Sequence, residues 1–217
     1  APTYSPESGR SAYEMAREFF LPGVVGETLD TAEEVMERLA VFKGNPFAKA
    51  SVETAWWALH SRLLGEPLWR VLGATDPVVQ CGADFGVQDT MDELLELIQG
   101  AVDDGFPRIK LKVRHGWDIN MLEAVRGAFP DPVIHVDCNS GYDLHADLET
   151  LKGFDRFNLA MIEQPLDHLD LIEHAELQKQ IETPVCLDES VKRPRDFELA
   201  LKVGACKVIN VKPGRVG

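Results

Sequence analysis

The stretch RIKLKV, residues 108–113, alternates apolar and basic side chains. Side chains two residues apart in a β-strand point to the same face, so Ile109 and Leu111 share one face and Lys110 and Lys112 share the other. The pattern predicts a strand with one apolar face. It also places two positive charges side by side on the opposite face, where a purely structural barrel layer would carry valine, isoleucine or leucine.

The chain after about residue 79 repeats this kind of unit. Short apolar runs alternate with segments of helical spacing, which gives six predicted strands and indicates a parallel sheet with helical crossovers. The last charged residues of five successive strands lie 24 to 26 positions apart, at Lys112, Asp137, Glu163, Asp188 and Lys212. Such an even repeat favours an α/β fold of the (β/α)8 TIM-barrel type over an open doubly wound sheet. A closed barrel has eight units, so we expect two more units after Gly217.

The chain before about residue 76 shows helical spacing instead. Helices are predicted in residues 11–20 and 30–42, the second with Asp30 or Thr31 as its N-cap. A longer amphipathic run extends from Pro46 to Leu64, and Gly65 is expected to end it. The sequence therefore predicts two regions, a helical one at 1–76 and a barrel at 77–217 that is incomplete at its C-terminal end.

The composition narrows the classes of partner. The net charge of −14 argues against a nucleic-acid partner and against an anionic membrane surface, because both require a basic face. No apolar run reaches the roughly 18 residues of a membrane helix. Since there is no CxxC pair, we interpret the cysteines as reduced, buried thiols of a cytoplasmic protein rather than as a zinc site or a disulfide framework. They are Cys81, Cys138, Cys186 and Cys206.

One face of the predicted strands collects polar side chains near the C-terminal strand ends, where barrel enzymes have their active sites. Burying charges is costly unless they serve each other or a metal ion, so a structural salt-bridge network is the alternative to a functional site. Because one charge recurs on each of five successive strands, at an expected matching depth, we favour the site. The inward-facing residues are Lys110, Lys112, His135, Asp137, Asn139, Glu163, Asp188, Asn210 and Lys212.

The order of these charges, lysine, three carboxylates, lysine, indicates a particular chemistry. Three converging carboxylates form an all-oxygen site that suits Mg²⁺, or alternatively Mn²⁺. A lysine near another cation in a partly desolvated site has a lowered pKa and can act as a base. A divalent ion that holds a substrate carboxylate stabilises the enediolate formed when the neighbouring carbon loses its proton. Together these groups suit abstraction of a proton α to a carboxylate.

The motifs KLK (110–112), VDCNSGY (136–142), IEQPL (162–166), CLDES (186–190) and INVKPGRVG (209–217), in this order and spacing, resemble the muconate-lactonizing-enzyme subgroup of the enolase superfamily. Within it, the chain looks most like o-succinylbenzoate synthases and N-acylamino-acid racemases. The resemblance implies that 1–76 is the helical part of an α+β capping domain, whose β-rich part and specificity loop lie outside this sequence.

The resemblance also implies roles for individual residues. Lys112 would be one acid/base and Lys212 the opposite lysine, and Lys110 would bind the substrate carboxylate. The remaining residues would serve the magnesium ion. Its ligands would be Asp137, Glu163 and Asp188, and Asn139 would support them as a neighbouring group or act as a strand-end cap.

Several functions remain open on this basis. The resemblance implies a small-molecule carboxylate substrate and a magnesium-dependent lyase or isomerase, which acts as o-succinylbenzoate synthase in menaquinone biosynthesis, as N-succinylamino-acid racemase, or as both. Dipeptide epimerase and muconate cycloisomerase are alternatives, and a catalytically silent barrel used as a binding or structural module is a third. Intact Lys112 and Lys212 weigh against the last. We also expect a homo-oligomer.

The histidines are interpreted as structural or surface residues. His115, His145, His168 and His174 fall in predicted loops or helix starts, and we expect them on the surface. His135 lies one layer below Asp137 on the inward face, and we expect it to be a core histidine with its hydrogen bonds satisfied, the alternative being a support for the site.

Overall fold

The computed structural model describes residues 5–216. These residues fall in two compact units, one of residues 5–79 with 211–216 and one of residues 80–210. The two regions predicted from the sequence begin at residue 1 and end at residue 217, and residues 1–4 and 217 lie outside the described residues.

The first unit is helical, as predicted. Thr31 is the N-cap of the second helix, and its side chain accepts from the backbone N–H of Glu34. Gly65, at φ 67°, ends the third helix in the left-handed conformation that favours glycine. The helices are α1 (Gly9–Met15), continued by a π-helical turn (Ala16–Phe20) and a 3₁₀ turn (Leu21–Gly23), α2 (Ala32–Leu39), α3 (Pro46–Leu64), α4 (Leu68–Val71) and α10 (Pro213–Val216).

A buried carboxylate stabilises the start of α3. Glu7 accepts hydrogen bonds from the backbone N–H groups of Phe47 and Ala48, each at 3.0 Å. These groups lie in the first turn of the helix, where N–H groups have no partner within the helix and where the helix dipole favours negative charge. Glu7 therefore fastens the chain before α1 to the start of α3.

The second unit is a parallel α/β sheet in the order β1-β2-β3-β4-β5-β6, so each strand pairs with the next one along the chain. Helices cross between consecutive strands, and the six predicted strands with the five helical crossovers between them are confirmed. The strands are β1 (Ala83–Phe85), β2 (Arg108–Lys112), β3 (Val133–Asp137), β4 (Ile162–Glu163), β5 (Val185–Leu187) and β6 (Val208–Ile209). The helices are α5 (Met91–Asp103), α6 (Ile119–Ala128), α7 (Leu144–Gly153) with a 3₁₀ turn (Phe154–Phe157), α8 (Leu171–Gln178) and α9 (Pro194–Val203).

The two faces of the strands divide as predicted. Ile109, Leu111, Ile134 and Leu187 are at most 1% exposed and belong to the main apolar core of this unit. The stretch VVQCGADFGV, residues 78–87, predicts the first strand, but Val78 and Val79 are exposed and pairing begins only at Ala83, so this strand was predicted to start too early. Among the cysteines, the prediction of buried thiols is right for Cys138, Cys186 and Cys206 and wrong for Cys81, which is exposed.

The sixth strand is shorter than the sequence predicted. It ends at Ile209, and the backbone then turns into α10. The carbonyl of Lys212 accepts hydrogen bonds from the backbone N–H groups of Arg215 and Val216 in this helix. Pro213, which has no backbone N–H, begins this helix. Lys212 therefore lies beyond the strand on which it was predicted, and Val211, expected to face the helices, is exposed.

No helix within residues 5–216 is long and apolar enough to cross a membrane.

Candidate active site

The register of the sheet brings three of the predicted site residues into one row. Lys112 on β2 is paired with Asp137 on β3, and Asp137 is paired with Glu163 on β4. Each of the three is the last residue of its strand, and directly paired residues point to the same face. The carboxyl ends of parallel strands meet at one edge of a sheet, so this row lies where barrel enzymes have their active sites.

Both lysines of the opening motif contact these carboxylates. The Lys110 ammonium lies between two buried acids, 2.7 Å from Asp137 Oδ2 and 2.9 Å from each oxygen of Glu163. Lys112 Nζ lies 2.6 Å from Asp137 Oδ2. Asp137 and Glu163 are at most 1% exposed, whereas the Lys112 side chain is 30% exposed. Lys112 is thus anchored in the cluster but remains open to solvent.

Burial and neighbouring charge set the protonation of this cluster. Burial alone would raise the pKa of Asp137, but the hydrogen bonds from Lys110 and Lys112 outweigh it and lower that pKa. Burial and then the charge of Asp137 raise the pKa of Glu163. Burial would lower the pKa of Lys110, but Asp137 and then Glu163 raise it well above its usual value. Lys110 is therefore held in its protonated form between the two carboxylates.

Asn139 and Asn210 complete the hydrogen bonds of the cluster. Asn139 Oδ1 accepts from Lys112 Nζ at 2.7 Å, and its backbone N–H donates to Asp137 Oδ1 at 3.0 Å. Asn210 Nδ2 donates to Glu163 Oε1 at 2.9 Å. Asn139 therefore does contact both a predicted base and a predicted metal ligand.

The third predicted carboxylate lies at a different level of the sheet. Glu163 on β4 is paired with Cys186 on β5, so Cys186 is the β5 residue level with Asp137 and Glu163. Asp188 comes two residues after Cys186 along the chain. Strands in a barrel tilt and their registers stagger, so equal spacing in sequence does not give equal depth. Asp188 is fully buried, and the pKa of Cys186 is raised by burial and then by the charges of Glu163 and Asp188.

Gln164 is a site residue that the sequence analysis missed. Its side chain is fully buried, and its Oε1 accepts from the backbone N–H of Asp188 at 3.0 Å. Its φ of 39° is left-handed, as are those of Asn139 (45°) and Ser140 (60°) just after β3. The available signal was its position next to a predicted ligand in the buried IEQPL motif.

Two histidines differ from the prediction. His174 is fully buried rather than on the surface, because it lies on the inward face of α8 with Ala175 and Gln178, and it contacts Gln164. His135 is buried, but its Nδ1 has no hydrogen-bond partner within residues 5–216, so it is not a satisfied core histidine. Burial, with the charges of Arg108 and Lys110, lowers the pKa of His135 to about 4.

The cluster fits a divalent cation by the chemistry of its donors but does not form a complete set of ligands. Within residues 5–216, no group of three or more His, Cys, Asp or Glu side chains is arranged to hold a metal ion. Instead the Lys110 ammonium occupies the position between Asp137 and Glu163. The two buried carboxylates that share the Lys110 ammonium are oxygen donors of the kind that Mg²⁺ prefers. The three-carboxylate set stays a prediction.

The fold agrees with a comparison to known families. Residues 93–217 match the family described as enolase C-terminal domain-like, and the chain belongs to that family.

Its relatives include an N-succinylamino acid racemase of Thermus thermophilus and an o-succinylbenzoate synthase of Geobacillus kaustophilus, each 43% identical. The match covers 100% of this chain, 58% of the racemase and 57% of the synthase. The solved structure of an enolase-superfamily member from Listeria innocua is 38% identical with a TM-score of 0.94, over 100% of this chain and 58% of that one. The chain thus spans just under three fifths of the length of these relatives.

An epimerase and a muconate cycloisomerase, the two enzyme classes that the sequence analysis left as alternatives, are more distant relatives. An L-amino acid-D/L-Glu epimerase of Francisella philomiragia is 29% identical over 93% of this chain and 58% of its own length. A muconate cycloisomerase structure from Pseudomonas fluorescens is 24% identical with a TM-score of 0.91, over 99% of this chain and 61% of its own, and shows the fold alone.

Proposed function

We propose that the protein containing this chain is an enzyme that removes a proton α to the carboxylate of a small-molecule substrate, with a bound Mg²⁺ or Mn²⁺. The observation that carries the proposal is the packing of Lys110 and Lys112 against buried Asp137 and Glu163 at the carboxyl ends of adjacent parallel strands. A cluster of this composition, in a member of the enolase family, matches the lysine and magnesium chemistry of that superfamily.

The magnesium site would be formed by Asp137, Glu163 and Asp188. A divalent cation held by these residues would supply positive charge that stabilises an enediolate of the substrate carboxylate. Lys110 has its pKa raised by Asp137 and Glu163, so it stays protonated and acts as a fixed positive charge that binds the substrate carboxylate.

Lys112 is a better candidate for the base than Lys110. It is the more exposed of the two lysines, and Asn139 holds its amine at a defined position. As base, its neutral amine takes the α-proton. In the dehydration, the same group then assists loss of the hydroxyl on that face. In the racemisation, Lys212 is the lysine of the opposite face, so that one lysine removes the proton and the other returns it.

The relatives favour two reactions and do not separate them. The racemase and the synthase are equally similar to this chain, at 43% identity, whereas the epimerase is more distant. We therefore propose o-succinylbenzoate synthase activity, N-succinylamino-acid racemase activity, or both. We also propose that residues 1–76 and 77–217 are the helical part of a capping domain and part of an eight-unit barrel, in a cytoplasmic homo-oligomer.

The test is a direct assay of the full-length protein. It compares the cyclohexadiene-carboxylate precursor of o-succinylbenzoate with N-succinyl amino acids, with and without EDTA. We expect turnover that EDTA abolishes and that Lys112→Ala reduces by about 10²- to 10⁴-fold, the usual contribution of a general base. Mg²⁺ binding by K112A, measured by calorimetry, should remain. Substantial turnover by K112A would refute the role of Lys112. If the wild-type protein turned over none of these substrates, the proposed reactions would be refuted.

A further inference from the structure

We propose that Gln164 is a positioning residue, which holds the ends of three strands so that the carboxylates of Asp137, Glu163 and Asp188 can face one cation. The proposal rests on the proposed function, since it assigns a role toward the same ion. The supporting observations are a set of hydrogen bonds that converge on this side chain and its backbone.

The backbone of Gln164 joins the neighbouring strand ends. Its N–H donates to the carbonyl of Cys186 at 2.8 Å, and its carbonyl accepts from the N–H of Ser140 at 2.8 Å. The residue thus connects the chain just after Asp137 with the strand that leads to Asp188. Its left-handed φ of 39° has an energetic cost for a residue with a side chain, and such conformations persist where the surroundings impose them.

The side chain of Gln164 fixes the backbone that carries Asp188. Its Oε1 accepts from the N–H groups of Asp188 and Ser190, at 3.0 and 3.1 Å. Its Nε2 donates to Ser190 Oγ at 2.8 Å and to the carbonyl of Leu166 at 3.3 Å. Because backbone N–H groups only donate and carbonyls only accept, these contacts set the orientation of the amide. The side chain has no freedom to turn without leaving a buried polar group unpaired.

His174 holds the other end of this side chain. The N–H of Leu166 donates to His174 Nε2, so that nitrogen is an acceptor, and Nδ1 carries the proton that bonds the carbonyl of Asp170. His174 Nε2 also lies 3.3 Å from Gln164 Nε2, as near as the carbonyl of Leu166, so these two acceptors share one amide hydrogen while the other bonds Ser190 Oγ. Burial lowers the pKa of His174, which agrees with a neutral ring. A chain of contacts therefore runs from α8 through His174 and Gln164 to Asp188.

The chain offers a matched control for this role. Gln178 is also a buried glutamine that bonds β5, but at the start of the strand rather than at its end. Its Oε1 accepts from the N–H of Val185 at 2.7 Å, and its Nε2 donates to the carbonyl of Thr183 at 3.2 Å. Gln164→Leu and Gln178→Leu remove comparable hydrogen bonds from opposite ends of one strand.

The experiment measures binding of MgCl₂ by calorimetry and thermal unfolding without divalent ions, in the full-length protein. We expect Q164L to weaken Mg²⁺ binding by about 10- to 100-fold, the usual effect of losing a partner that orients a ligand. Q178L should lower the unfolding temperature without changing Mg²⁺ affinity. Gln164→Glu keeps the acceptor for Asp188 and Ser190 and should bind Mg²⁺ more tightly than Q164L.

A second variant covers the case in which Q164L does not fold. His174→Phe keeps the ring volume but removes the acceptor for Gln164, so it should weaken Mg²⁺ binding in the same direction. Unchanged Mg²⁺ affinity in whichever variant folds, or an equal loss in Q178L, overturns the role of Gln164. Failure of the wild-type protein to bind Mg²⁺, or binding by Asp188→Asn equal to wild type, overturns the proposed function and this role with it.

Discussion

Replacing Lys110 with methionine tests the electrostatics of the cluster directly. The substitution keeps most of the side-chain volume but removes the ammonium that lies 2.7 Å from Asp137 and 2.9 Å from Glu163. Two carboxylates that are at most 1% exposed would then have lost their shared counter-charge. Removing one partner of a buried ion pair costs about 3–5 kcal/mol.

The structure places the expected loss at the lower end of that range. Lys112 still bonds Asp137 at 2.6 Å, and Asn210 still bonds Glu163 at 2.9 Å, so neither carboxylate is left without a partner. We therefore expect Lys110→Met to lose about 3 kcal/mol in the free energy of unfolding. At about 2–4 °C per kcal/mol for a chain of this size, the unfolding temperature falls by about 6–12 °C.

Scanning calorimetry of the full-length protein, without divalent ions and then with saturating MgCl₂, measures both parts of this prediction. Mg²⁺ should stabilise K110M more than the wild type, because it replaces the lost positive charge between the carboxylates. Lys152→Met is the matched control, since Lys152 forms an exposed ion pair with Glu149 at 3.6 Å and should change stability by less than about 0.5 kcal/mol. Equal stability of K110M and K152M, or equal stabilisation of K110M and wild type by Mg²⁺, would show that Lys110 does not neutralise the pair.

Two further variants test other parts of the structure. Burial and the charge of Asp137 raise the pKa of Glu163. Ionisation of Glu163 therefore lowers the free energy of unfolding at a pH above the ordinary carboxyl pKa. This loss of stability disappears as the pH falls below the ordinary carboxyl pKa. Without metal, Glu163→Gln should therefore be more stable than wild type at pH 8 in urea unfolding, with the difference shrinking towards pH 4; a variant less stable at pH 8 would contradict the raised pKa. Gly214→Ala places a methyl group 3.1 Å from the ring of Phe47 on α3, and should cost about 1 kcal/mol or more in thermal unfolding. Adding Phe47→Leu should restore part of that loss, and strictly additive effects of the two substitutions would contradict a direct clash.

The sequence predicted best the features that depend on local signals. The limits of α3 follow from Pro46 at its start and Gly65 at its end, both of which act through their own backbone conformation. The alternation in RIKLKV likewise predicted which side chains are buried, because a strand has a fixed period of two. The α/β class and the six parallel strands followed from the same alternation repeated along the chain.

Features that depend on distant pairing could not be predicted in this way. Even spacing suggested that Asp188 lies level with Glu163, but the stagger of the sheet pairs Glu163 with Cys186 instead. Lys212 was predicted on a strand because its neighbours alternate, whereas the chain turns into α10 at that point. Gln164 was overlooked because its position beside a predicted ligand does not reveal the role of an uncharged amide until its hydrogen-bond partners are known.

The left-handed residues that follow β3 and β4 have a consequence for engineering the protein. Glycine adopts such a backbone without steric cost, so replacing Asn139 by glycine would relieve the chain locally. The same change would release the amine of Lys112 from the amide oxygen that holds it. Selection for thermal stability alone would therefore favour glycine at position 139. The gain in stability would come with a less firmly held Lys112 amine, the group proposed to act as the base.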